Sequence, residues 1–483
     1  MRRNQRSARS RCALPLLVGA LVATGTVARS HPAAGAVCDA AAFSCPAVGT
    51  CVITGTWNVG SNCILGFGAR SVEIRGTLQA DSLGGSFSVT ASNLTLNAGK
   101  LKSLGDTSHA GGSIDVDVTG TFAMNGAGPR VDTSGNGGGG GIALRASAID
   151  LANGVITADG GSGDTCGDGG AIEIDARSGP GSISNTVRTT TGSNDCGGGS
   201  ITIAGASVTV SGALDAHGGA SASDDGIFVH ATAGDVVFTS TSSVDVSGTG
   251  QPDGFGANAG PLLLVADVGN VSMSAAPVAL TGRSPDGLGG SIAIEAAGDV
   301  SLNSPITLYG GTMGFGGDLV ADAGGDLSVA GNVTATGGMT FPYGEGGSVD
   351  LSAAGHVSIG ATVDVSGATG GFISVDEGAL VDVSGVLRAR GSRGPGGGIE
   401  LFGCAVSVGG TLDAGASNGG TAGLVDLTGN SMSIAAGATL TALPCEDGQC
   451  TSLTVRTGSP AIDPLATILP APVVIVDPLV PAC

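Results

Sequence analysis

In residues 346–367 the chain reads G-G-S-V-D-L-S-A-A-G-H-V-S-I-G-A-T-V-D-V-S-G, and apolar residues hold alternate positions in three short runs, 349–351, 357–359 and 363–365. A period of two is the mark of strands with one face buried. Gly355 and Gly360 separate the runs and Gly367 closes the last, which predicts a turn at each. A unit this small cannot bury its own apolar face, so it requires copies stacked above and below it. The copies are present. Marking the first inward residue of each unit gives Phe87, Ile114, Ile142, Ile172, Ile201, Ile227, Leu262, Ile292, Leu319, Val349, Ile373, Ile399 and Val425.

Successive markers are 24 to 30 residues apart, with one gap of 35. Drift of this size excludes a rigid short-period repeat and fits three strands per coil joined by loops of variable length. Crossovers between parallel strands are overwhelmingly right-handed. The expected fold is therefore all-β: a right-handed parallel β-helix solenoid with disulfide-bonded caps. The long gap, covering residues 248–261, predicts the largest protruding loop.

Boundaries follow from where this pattern starts and stops. Residues 1–36 begin with a basic stretch, continue into an apolar run of about a dozen residues and end in small residues, as a secretory signal peptide does. That run is too short to span a bilayer core of about 30 Å, so no transmembrane segment is expected in the mature chain. Residues 37–69 hold the only tryptophan and four cysteines, and read as an amino-terminal cap. The β-helix is expected over 70–440. Residues 441–483 are rich in proline and read as a carboxy-terminal cap and tail.

Composition narrows the function classes. The 90 glycines, 12% charged residues and 3% aromatics suit a solenoid whose small side chains stack on like neighbours. Six arginines and no acids leave with residues 1–36, so the formal charge moves from -21 to -27. Binding to nucleic acid needs clustered Lys and Arg, and the mature chain has only Lys100 and Lys102 as lysines. Ten mature cysteines fall into even groups: Cys38, Cys45, Cys51 and Cys63; Cys166 and Cys196; Cys404, Cys445, Cys450 and Cys483. Even groups in an exported chain argue for disulfides. Cys166 and Cys196 precede first strands at nearly the same place in consecutive coils, which would hold their Cα atoms about 5 Å apart and predicts a bridge between them.

Coils of the form G-G-S-I-x-I-x-A-x-G-x-V-x-V-x-G-x-L-x-A-x-G-G over residues 70–440 resemble the β-helical passengers of bacterial surface proteins, of the filamentous haemagglutinin and autotransporter kind. The resemblance is one of repeat style. It implies an exported rod at the cell surface or in the medium, with the periplasm as a further possibility, serving adhesion, with glycans or other cell-surface components as partners.

Outward positions of each strand form columns. One third-strand column runs Gln79, Lys102, Asp132, Thr157, Arg188, Asp215, Asp245, Ala279, Thr307, Thr334, Asp364, Arg388 and Asp413. Within it Asp215 and Asp245 are the nearest approach to a metal site, and weakly held calcium is the only cofactor the composition suggests. The histidines are too scattered to form one site. The most charged stretch of the repeat holds Asp376, Glu377, Asp382, Arg388, Arg390, Arg393 and Glu400. Glu400 is expected beside Asp426 on the next coil, and with Arg388 these are the candidates for catalysis, since paired carboxylates can do acid and base work. The architecture also resembles pectin hydrolases and lyases, so a polysaccharide-active enzyme is the alternative. The leading expectation is a non-catalytic structural or adhesive protein.

Overall fold

The computed structural model describes residues 36–161, 167–191, 196–218, 226–249, 256–274, 277–340, 342–443 and 453–476, and all that follows concerns the unit Pro32–Cys483. It is a parallel β-solenoid of about 14 turns with about 27 residues per turn. Each turn supplies three strands. Third strands stack into a 16-stranded sheet, while first and second strands form one 28-stranded sheet. The two faces of the larger sheet are joined by late strands that run through the corner: Phe372–Val383, Gly398–Val408, Leu424–Ile434 and Leu453–Ile462.

All thirteen markers fall in one register column. Each pairs with the next across the parallel ladder, with Cys63 added before Phe87 and Leu453 after Val425. The column is the core. Ile142, Ile172, Ile201 and Ile227 stack in consecutive coils, each at most 2% exposed, and full burial of such a side chain stabilises by about 1.5–3 kcal/mol.

Two backbone devices set how closely coils approach. Glycine precedes most first strands, and at Gly371 the reason is steric: a Cβ there would lie 2.0 Å from the carbonyl oxygen of Gly347 in the preceding coil. At the corner before several second strands, an Asp or Asn carboxyl or amide oxygen accepts the backbone N–H of the next coil. Asp235 accepts from Asn270 at 2.8 Å, Asn270 from Asp299 at 2.7 Å, Asp299 from Asp326 at 2.8 Å and Asp326 from His356 at 2.8 Å. Like charges stacked in this way would repel. Each carboxylate instead accepts an N–H from the next coil, a bond between a charged acceptor and a neutral donor.

The amino-terminal end is closed by the short helix Ala40–Phe43, started by Asp39, whose carboxylate accepts the Ala41 N–H at 2.9 Å. Phe43 packs edge-on to Trp57 with ring centroids 5.1 Å apart. Disulfides Cys38–Cys63 and Cys45–Cys51 pin the lid, with Cα separations of 5.2 and 4.8 Å. Strands already begin at Cys51–Ile53, inside residues 37–69. At the other end pairing continues past Leu440 through Leu453–Ile462, Thr467–Leu469 and Val473–Val476. Pro460 sits in the first of these beyond Thr457, the last residue that the described part of the outer strand pairs with.

Candidate functional site

The third-strand column holds as drawn: Arg188, Asp215, Asp245 and Ala279 pair in consecutive coils, and so do Asp364, Arg388 and Asp413. Its aspartates share a local task. Asp215, Asp245, Asp364 and Asp413 each accept the backbone N–H two residues later, at 3.3, 3.0, 3.0 and 3.1 Å. This is the Asx-turn, by which a short acidic side chain closes the turn that follows a strand. Arg388 also pairs with Asp364 at 3.1 Å, and Arg390 with Asp413 at 3.6 Å.

His217, one of the histidines that the sequence left scattered, joins Asp215 and Asp245. Ligand atoms of these three lie within 4.8 Å of one another, and they are the group of the described residues able to share a cation. His217 Nδ1 is 2.5 Å from Asp215 Oδ1. That hydrogen bond raises the imidazole pKa, and the charges of Asp215, Asp245 and Asp159 add to it against the opposing effect of burial. His109 and His230 pair with other aspartates, Asp106 at 2.7 Å and Asp267 at 3.0 Å, so the histidines do not converge.

Glu400 and Asp426 stand directly opposite each other on neighbouring first strands. Burial raises the Asp426 pKa, against the attraction of Arg456 and a hydrogen bond with Thr428. Asp426 Oδ1 is buried with no hydrogen-bond partner among the described residues. Arg388 belongs to the third-strand sheet, where it pairs with Asp364, and so lies on a different face from the two carboxylates. Cys166 is outside the described residues, and its expected bridge with them; Cys196 is buried and disulfide-bonded.

A further feature comes from loops. The segments returning from third to first strands in five successive coils border a groove of about 570 Å³, reaching from Leu288 at one end to Gly398 at the other. Its side-chain walls are Phe315, Phe372, Asp318 and Glu345, and glycine backbone forms most of the rest. Phe372 sets the edge of its ring against Gly398, where a Cβ would come 2.5 and 2.6 Å from two ring carbons. Asp318 accepts both the N–H and the hydroxyl of Ser348, at 3.1 and 2.8 Å.

Comparison with protein-family models, with characterised proteins and with solved structures finds no match to this chain. What defines it is its architecture: a disulfide-bonded, all-parallel β-helix. No helix among the described residues is long and apolar enough to cross a membrane.

Proposed function

We propose that the chain is an exported structural or adhesive β-helix, displayed at the cell surface or released, and non-catalytic. The observation that carries this reading is the use made of the outward charges. Aspartates of the third-strand column close turns, Asp299 and Asp326 tie coil to coil, and Arg145 bridges Asp115 and Glu173 on the coils either side of it at 3.1 and 2.6 Å. Side chains spent on holding neighbouring coils together are those a scaffold needs. The amino-terminal disulfides fit an oxidising compartment outside the cytoplasm. Glycans or other surface components are the partners that suit such a rod, and calcium would bind weakly at Asp215, His217 and Asp245.

A polysaccharide-active hydrolase or lyase is the second reading. It is favoured by the adjacency of Glu400 and Asp426 and by the raised pKa of Asp426, an arrangement suited to an acid and base pair. One experiment separates the two. The purified mature chain is incubated with neutral and acidic polysaccharides and assayed for new chain ends and for retention on the polymer. Retention without cleavage is expected; depolymerisation abolished by Glu400→Gln would overturn the adhesive reading.

A further inference from the structure

We propose that the groove lined by Phe315, Asp318, Glu345 and Phe372 is the binding site of this protein for an extended, uncharged glycan chain. The proposal rests on the adhesive reading and names its ligand class.

Aromatic exposure points to this region first. Among the described residues, the aromatic side chains more than a third exposed are Tyr309 at 43%, Phe315 at 46%, Tyr343 at 57% and Phe402 at 38%. All four fall within residues 309–402, while Phe87, Phe122 and Phe238 in earlier coils are buried in the core. Leaving an aromatic ring in water forgoes its burial, and a ring with one face free is suited to stacking on the apolar face of a sugar. Phe315 stands exposed in the groove wall, and Phe372, half-buried beside it, meets Gly398 at the edge of its ring.

Length and polarity then select the ligand. Five coils at about 4.8 Å each make a trough roughly 20 Å long, running along the solenoid axis and suited to an unbranched oligosaccharide. Its floor is glycine backbone because side chains there would collide with the next coil, so nothing projects to stop a chain lying across it. Asp318 and Glu345 are both exposed and in no ion pair among the described residues. Carboxylates accept hydrogen bonds from sugar hydroxyls, and such charge-assisted bonds are stronger than neutral ones. The same two charges repel an anionic chain, which sets the specificity by exclusion. An acidic glycan would meet two carboxylates and no cation on the groove's side-chain walls.

Titration calorimetry on the full mature chain tests this with three probes: cellohexaose and xylohexaose, which are neutral, and hexagalacturonate, which is anionic. Binding of at least one neutral hexasaccharide is expected, with hexagalacturonate weaker by about tenfold or more. Phe315→Ala, at an exposed position, should leave the circular dichroism and melting temperature unchanged and weaken the neutral ligand roughly tenfold. Glu345→Gln should narrow the gap between neutral and anionic probes, and serves as the second variant if Phe315→Ala unfolds. Phe402→Ala lies outside the groove and should bind as the wild type does. Equal binding by the wild type and both groove variants, preference for hexagalacturonate, or no binding of any probe overturns the proposal. Retention of the Phe315→Ala, Glu345→Gln double variant on glycan-coated surfaces at the wild-type level would overturn the groove alone. Failure of the wild type to be retained on any such surface would overturn the adhesive reading as well.

Discussion

Replacing Gly371 with alanine is expected to destabilise the solenoid, against the usual sign of such a change. In a backbone conformation open to all residues, Gly→Ala stabilises by about 0.4–1 kcal/mol, because the unfolded chain loses freedom. Gly371 is not among the left-handed glycines, so backbone strain is not the obstacle. The obstacle is contact: the new Cβ would stand 2.0 Å from Gly347 O and 2.6 Å from Gly346 C, where Cβ atoms essentially never come within 3.0 Å. Sliding the coil away is resisted from the other side, since a Cβ at Gly397 would meet Gly371 O at 1.8 Å, a sign of equally tight stacking. Overpacking of this kind typically costs about 1–3 kcal/mol, more than the entropic gain. Gly409→Ala is the matched control: nothing lies within 4 Å of its added Cβ, and its N–H bond to Val383 O at 2.9 Å survives. It should be neutral or stabilising by up to about 1 kcal/mol. Equilibrium unfolding in guanidinium, followed by far-ultraviolet circular dichroism, measures both. Hydrogen exchange over Ser348–Ala353, Phe372–Val383 and Gly398–Val408 locates the loss, because a solenoid senses damage mainly through adjoining coils. A midpoint for Gly371→Ala at or above that of the wild type would refute the steric argument.

Three other outcomes are expected. Peptide mapping of unreduced protein should recover Cys166 joined to Cys196, a closure of about 30 residues worth roughly 3–4 kcal/mol in the chain-entropy model; an alkylated Cys166 would refute the coil register there. Asp426 has a folded pKa above its ordinary 3.8, so its contribution to stability falls as pH rises from about that value through the folded pKa and is level beyond. Asp426→Asn should therefore remove that fall and unfold at higher denaturant near neutral pH, and a lower midpoint there would count against burial as the cause. Calcium should raise the melting temperature modestly by binding the folded form, an increase that Asp215→Asn should reduce; identical curves in calcium and in chelator would dismiss the Asp215, His217 and Asp245 cluster.

Register was legible because its signals are local and repeated. An apolar residue two places from another, with glycine on either side, identifies the same point of every coil, and Phe87 to Val425 could be aligned without knowing how any loop ran. The corner ladder was not legible. Asp235, Asn270, Asp299 and Asp326 look like solvated turn residues in sequence, and their role appears only when a backbone N–H of the next coil is set against each. The groove was hidden for a different reason: Phe315, Glu345 and Phe372 come from three coils, at the ends of return loops of unequal length, so no fixed spacing links them. Pairing of Glu400 with Asp426 was visible, whereas the burial that separates Asp426 from an ordinary surface carboxylate was not.

Because every ladder bond joins one coil to the next, the bonds of the solenoid run along its axis, and a pull along that axis acts as a spool under load. Tension would open one ring of bonds at a time instead of shearing many together. Each opened coil of about 27 residues pays out roughly 90 Å of chain. A tether of this construction lengthens in steps at nearly constant force. The Cys38–Cys63 bridge withholds its own 25-residue span from that reserve, so the reach of the protein under load is set partly by the redox state of its surroundings.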